Sequence, residues 1–291
     1  MIFITEAQNR SGGCEIHKKR YTLNAITQKA LFVLCSRLKA RAAALLILAL
    51  FSSQAQAMQR VTLYGAASTQ PVIDALIPKM NTHGLALHAV YAGSATLARQ
   101  IERGAPDVDI FVSANLKWMN HLEGQGLLEP GTRRSVATNR LVLIAAPDVH
   151  LPATPDLTDA RAIIRALGNG RLAIADPDFV PAGMYGREAL ASLGVWDALH
   201  GRLAPTKDVT GALLLVTRGE ARLGIVYQSD VRRVKGLQVY GVFPNTSHAP
   251  IVYQAALLKG RTGDGARKFL NALSGTEGQA SFRDAGFGGA P

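Results

Sequence analysis

From about residue 60 to residue 285, short apolar runs alternate with helical patterns, and this alternation constrains the fold more than any other feature of the chain. Residues 60–64, 85–91, 108–112, 140–146, 171–175, 223–227, 237–243 and 252–258 read as strands, being short, apolar and bounded by turn residues. Residues 71–80 place Val72, Ile73, Leu76 and Ile77 on one helical face. Helical patterns follow at 97–103, 116–122, 156–167, 182–193, 211–218, 265–273 and 276–285. Strands alternating with helices imply an α/β fold with mainly parallel sheets. In such sheets ligands sit beyond the carboxyl ends of strands, where loops enter helices. With 291 residues, 48% of them hydrophobic, the chain can bury one large core or two modest ones.

The N-terminus has a different character. Leu38-Lys39-Ala40-Arg41 is basic, 42–51 is an unbroken apolar run, and Ala55-Gln56-Ala57 offers a small-x-small cleavage pattern. The run is short for a bilayer span. The order basic, apolar, small describes a secretory signal peptide cut after Ala57, with residues 1–57 as leader and extension. A start downstream of Met1 and before Leu38 would explain the leader's length. The protein is therefore expected outside the cytoplasmic membrane, in the periplasm. Both cysteines, Cys14 and Cys35, lie in the discarded part. That excludes disulfides, thiol catalysis and cysteine metal sites from the working protein.

The net charge of +11 invites a nucleic-acid reading, but residues 1–57 account for +6 of it. Beyond the leader the tight basic clusters are Arg133-Arg134 and Arg232-Arg233-Lys235, which read as solvated surface, so no nucleic-acid partner is expected. No phosphate-binding P-loop, no H-E-x-x-H and no G-x-S-x-G is present. Asp176 and Asp178 have no third ligand at suitable spacing, so no bare metal site is expected. The histidines at 83, 88, 121, 150, 200 and 248 stand alone as surface groups.

Three strand-to-helix loops carry the chemistry. Gly65-Ala66-Ala67-Ser68 follows the first strand, and Ser68 falls where a helix N-cap is expected. Tyr91-Ala92-Gly93-Ser94 repeats the arrangement after the second strand. Asp176 to Gly186 brings Pro181, which presets a helix start, and Gly183, which permits close approach. Each serine alone could be an ordinary helix cap. Two small-residue turns, each offering a hydroxyl and an N–H at a positive helix end, favour an anion.

These loops and their neighbours resemble the molybdate-binding proteins of bacterial ABC importers, a family of type II periplasmic binding proteins. The matching stretches include Tyr64 to Ser68, Gly93 to Pro106, Asp109 to Ala114, Lys117-Trp118-Met119, Gly170 to Pro177, Val180 to Gly183 and Gly224 to Tyr227. The sequence departs from many relatives in having Gly65 and Gly93 where they carry alanine or serine. The resemblance implies two α/β lobes with the ligand cleft between them, lobe I from 58–139 plus 250–291 and lobe II from 140–249. It also implies a ligand set: hydroxyl and N–H from Ser68 and Ser94, backbone N–H from Ala182 and Val209, and the hydroxyl of Tyr227. No catalysis and no cofactor are implied. The partners are molybdate or tungstate and the membrane permease of an ABC importer, and the protein is expected to be a monomer.

A cage made only of donors suits a fully deprotonated tetrahedral dianion, since every ligand oxygen can accept. Hydrogen phosphate carries a proton that such a cage cannot receive. Sulfate is proton-free, so only cavity size can exclude it, and a carrier for sulfate is the alternative within this class. A secreted serine hydrolase using Ser68 or Ser94 is the alternative from another class. It needs a histidine within hydrogen-bond reach of the serine.

Overall fold

A computed structural model of the protein describes residues 58–146, 149, 157, 159–232, 234 and 236–291. The leader and its cleavage site, Pro147, His150, the start of the helix expected from 156, and Arg233 and Lys235 lie outside the described residues.

The chain builds two five-stranded sheets, each supplied with parallel strands by strand–helix units. β1 (Gln59–Ala66) leads through a short 3-10 turn, Ala67–Thr69, into α1 (Gln70–Thr82). β2 (Leu85–Ala92) leads into α2 (Ser94–Glu102), and β3 (Ile110–Ser113) into α3 (Leu116–Gly124). The α3 start is set by Asn115, whose side-chain oxygen accepts the Trp118 N–H at 3.2 Å. β4 (Arg134–Thr138) closes this part of the sheet. The second sheet begins at β5 (Leu141–Ala145), followed by α4 (Ala160–Leu167), β6 (Leu172–Ala175), α5 (Pro181–Ser192), α6 (Trp196–His200) and β7 (Leu203–Thr206). α7 (Val209–Thr217), β8 (Leu223–Tyr227), α8 (Gln228–Val231) and β9 (Gln238–Val242) complete it. β10 (Val252–Leu257) then returns to the first sheet, and α9 (Asp264–Ser274) and α10 (Thr276–Asp284) close the chain.

The strand orders are β2-β1-β3-β10-β4 and β7-β6-β8-β5-β9. The sheets are mixed, which corrects the expectation of mainly parallel pairing. β1 pairs in parallel with β2 and β3, and β6 with β7 and β8, whereas β10 and β5 pair antiparallel with both of their neighbours. The reversals arise where the chain passes between sheets, from Thr138 to Leu141 and from Val242 to Val252.

Helices cover both faces of the sheets, so β3, β5, β6 and β8 are buried along their whole length and read as continuous apolar runs. In the second sheet, Gly224 leaves room for Val216 of α7, while its neighbour Ile225 packs at Gly186 of α5. Successive strand residues point to opposite faces, so α5 and α7 lie on opposite sides of the sheet. One consequence of these layers matters most for function. The carboxyl ends of β1 and β2 in one sheet, and of β6, β7 and β8 in the other, all turn into helices.

Candidate functional site

Those turns meet around one small cavity of about 10 Å³, traced by the centre of a water-sized sphere. That is room for one compact ligand of a few atoms, not for a sugar or a peptide. Ser68, Ser94, Ala182, Val209 and Tyr227 all line it, so the structure brings together every residue expected at the site. All five are buried.

Each reaches the cavity for a local reason. Ser68 is not the helix N-cap expected; it is the middle residue of the 3-10 turn, and no side-chain cap bond forms there. The nearby Thr69 hydroxyl instead ties back to the Ala66 carbonyl at 2.7 Å. The Ser68 hydroxyl lies 2.8 Å from the hydroxyl of Tyr253. Ser94 is the first residue of α2, with Gly93 as N-cap, and its oxygen accepts the Ala114 N–H at 3.1 Å. Ala182 is the second residue of α5, after Pro181. A side chain at Gly183 would run into the carbonyl oxygens of Ala175 and Asp176. Glycine therefore lets α5 start tight against the end of β6, so the close approach it permits is to the strand rather than to a ligand. Val209 is the first residue of α7, whose N-cap Asp208 accepts the Gly211 N–H at 2.9 Å. Ser94, Ala182 and Val209 thus stand in first helical turns, where N–H groups have no intrahelical acceptor.

The electrostatics follow from these positions. Among the described residues, no lysine or arginine lines the cavity. Its one charged lining residue, Asp208, is committed to capping α7. The positive ends of α2, α5 and α7 converge instead, each favouring negative charge. The Tyr227 hydroxyl is buried and has no hydrogen-bond partner among the described residues. Burial pushes its pKa well above the ordinary range, and the neighbouring Tyr253, Tyr185 and Asp230 add to the shift. Burial likewise raises Tyr253. Both groups therefore stay protonated, and Tyr227 remains a donor, at any physiological pH. Because both folded-state values lie above the unfolded value of about 10, the unfolded chain releases these protons first. Their contribution to stability is complete below about pH 10 and is lost as pH rises beyond it. Melting temperature measured at constant ionic strength should be level from about pH 8 and fall above about pH 10; a melting temperature that rose above that point would contradict this assignment.

The cleft around the cavity is closed by contacts absent from the sequence reading. Trp118 Nε1 of α3 donates to the Phe179 carbonyl, on the loop before α5, at 2.8 Å. The Arg99 guanidinium of α2 lies 4.4 Å from the Phe179 ring centroid and 5.7 Å from that of Trp118. Trp118→Phe removes the hydrogen bond and keeps the ring. With a net worth of about 1 kcal/mol for such a bond, ligand release measured by stopped flow should quicken about fivefold. An unchanged release rate would show that this contact does not hold the cleft shut.

The lining includes no histidine, and the serine hydroxyls are engaged by Tyr253 and by the Ala114 N–H. The histidine that the hydrolase alternative needs is not among the described residues of the lining. Asp178 is paired with Arg187 at 2.6 Å, and the described residues contain no group of three side chains able to hold a metal ion. No helix among the described residues is long and apolar enough to cross a membrane.

Residues 61–288 match the family described as bacterial extracellular solute-binding protein. The chain is 39% identical to the molybdate-binding protein ModA of Escherichia coli over 229 residues, covering 78% of this chain and 88% of that one. It is 41% identical to the molybdate-binding protein ModA of Haemophilus influenzae over 234 residues, covering 79% and 90%. Among solved structures it resembles the periplasmic molybdate-binding protein of Azotobacter vinelandii, with a TM-score of 0.67 and 25% identity over 78% of this chain and 98% of that one.

Proposed function

The chain belongs to the bacterial extracellular solute-binding protein family, and from that premise we propose that it captures molybdate, and equally tungstate, for delivery to the permease of an ABC importer. The observation that carries this reading is the donor-rich cavity: two serine hydroxyls, first-turn N–H groups of three helices and a buried tyrosine hydroxyl, with no cationic side chain among the described lining residues. Neutral dipoles balance a dianion, and the one carboxylate in the lining, Asp208, is turned to the Gly211 N–H, so a ligand proton would face donors. The identity to molybdate-binding proteins of two bacteria supports the choice of oxyanion. In this reading Ser68, Ser94, Ala182, Val209 and Tyr227 are the ligand-binding residues, and the protein performs no chemistry and needs no cofactor.

The same reading places the lobe boundaries at the two passages between sheets, with 58–139 and 250–291 forming one lobe and 140–249 the other. Ser68 and Ser94 then come from one lobe and Ala182, Val209 and Tyr227 from the other, so only the closed cleft gathers every donor. The protein acts in the periplasm as a monomer after removal of residues 1–57. Thermal unfolding with each oxyanion added tests the ligand class. Molybdate or tungstate at a hundred times its Kd should stabilise the protein by about 2.7 kcal/mol, whereas hydrogen phosphate should leave the melting temperature unmoved. Stabilisation by hydrogen phosphate and not by molybdate would overturn the proposal.

A further inference from the structure

A serine that gives its one hydroxyl proton to an anion cannot also give it to the protein, so another donor must satisfy the acceptor side of that oxygen. For Ser94 this is plain: the Ala114 N–H donates to its Oγ at 3.1 Å, and a backbone amide has only one direction. For Ser68 the neighbour is the Tyr253 hydroxyl at 2.8 Å, and either oxygen could donate. Asn139 favours one direction. Its Oδ1 accepts the Arg140 N–H at 3.0 Å and the Ser229 N–H at 3.5 Å, which makes the other end of the amide a donor. Nδ2 donates to Ser229 Oγ at 2.9 Å and, in a longer contact of 3.5 Å, to the Tyr253 hydroxyl. The Tyr253 oxygen thus accepts from Asn139, which leaves its own proton available to Ser68.

We propose that Tyr253 is a positioning residue for oxyanion capture, its hydroxyl donating to Ser68 Oγ so that the Ser68 proton is committed to the ligand. This rests on the oxyanion-binding reading above. It makes the two cavity serines equivalent: each has a donor behind it, a backbone amide for Ser94 and a phenol for Ser68. A donor chain of this kind also polarises its members, strengthening the last bond to the anion. The Tyr253 ring does not depend on its hydroxyl for its place. It is fully buried and packs edge-on against Tyr227, with centroids 5.9 Å apart, and against Phe287 at 5.2 Å. Tyr253→Phe therefore keeps the packing and removes the proton.

The test is a double-mutant cycle read by molybdate titration of the chain as the cell exports it, in the native form, Tyr253→Phe, Ser68→Ala and the double variant. Tyr253 acts through the Ser68 oxygen, so Tyr253→Phe should weaken molybdate binding about tenfold in the native background and less than about twofold beside Ser68→Ala. An equal loss in both backgrounds would show a merely structural role and overturn the proposal, as would no loss in the native background. Should Tyr253→Phe not fold, Asn139→Ala runs the same cycle: a smaller loss that vanishes beside Ser68→Ala supports the relay, and equal losses overturn it. Failure of the native protein to bind molybdate would overturn the oxyanion reading itself, and the relay with it.

Discussion

Val209→Pro is expected to weaken molybdate binding at least about a hundredfold while leaving the fold intact. Val209 is the first residue of α7, a position where proline is tolerated because its N–H makes no intrahelical bond. The residue before a proline must be extended, and Asp208 already is, at φ −160° and ψ 174°. The substitution therefore deletes one backbone donor with little disturbance of the helix, and the Asp208 cap to the Gly211 N–H survives. The loss combines a charge-assisted hydrogen bond, worth about 1.5–3 kcal/mol, with a ring carbon placed where the N–H pointed. Calorimetric titration and a melting curve separate the two effects. Binding within about twofold of the native protein would mean that the α7 start does not contact the ligand.

Ser94→Ala is expected to cost about 2 kcal/mol of molybdate affinity, or about thirtyfold. It differs from Val209→Pro in also lowering stability. Without the serine oxygen, the Ala114 N–H becomes a buried donor with no acceptor, in the free and the bound protein alike. That penalty of about 1–3 kcal/mol cancels in binding but appears in the melting temperature. A variant that melts lower and binds as tightly as before would assign Ser94 a purely structural role.

Much of this was legible in the sequence, for physical reasons that also explain the gaps. β5, β6 and β8 are buried on both faces, so their apolar runs stand out. The strands the sequence did not reveal, β4 and β7, are both sheet edges. β4 is polar at its exposed end, and β7 contains Pro205, which an edge tolerates and a central strand does not. Pairing direction was also hidden, because it depends on where the chain passes between sheets and not on any local pattern.

The cavity residues sit where strands turn into helices, and the small residues and helix-start signals of those turns are local, so the resemblance could rest on them. What lay behind them was not legible. Tyr253 is one more apolar-looking position on a strand, and only the fold sets it beside Ser68, 185 residues away in the chain. Phe179 and Trp118 meet across the cleft through a backbone carbonyl, which carries no sequence signature at all. Ser68 was placed at a helix start, but its hydroxyl serves a tertiary contact and not a cap, since Tyr253 competes for it.

A cavity of donors without a cation should select a proton-free tetrahedral dianion. Isothermal titration of the protein lacking residues 1–57 with molybdate, tungstate, sulfate and hydrogen phosphate tests it most directly. One-to-one binding of molybdate and tungstate with nearly equal affinity is expected, with sulfate much weaker through its smaller size and no heat from hydrogen phosphate. Folded, ligand-free protein that binds no molybdate, or that binds hydrogen phosphate as tightly, would contradict it.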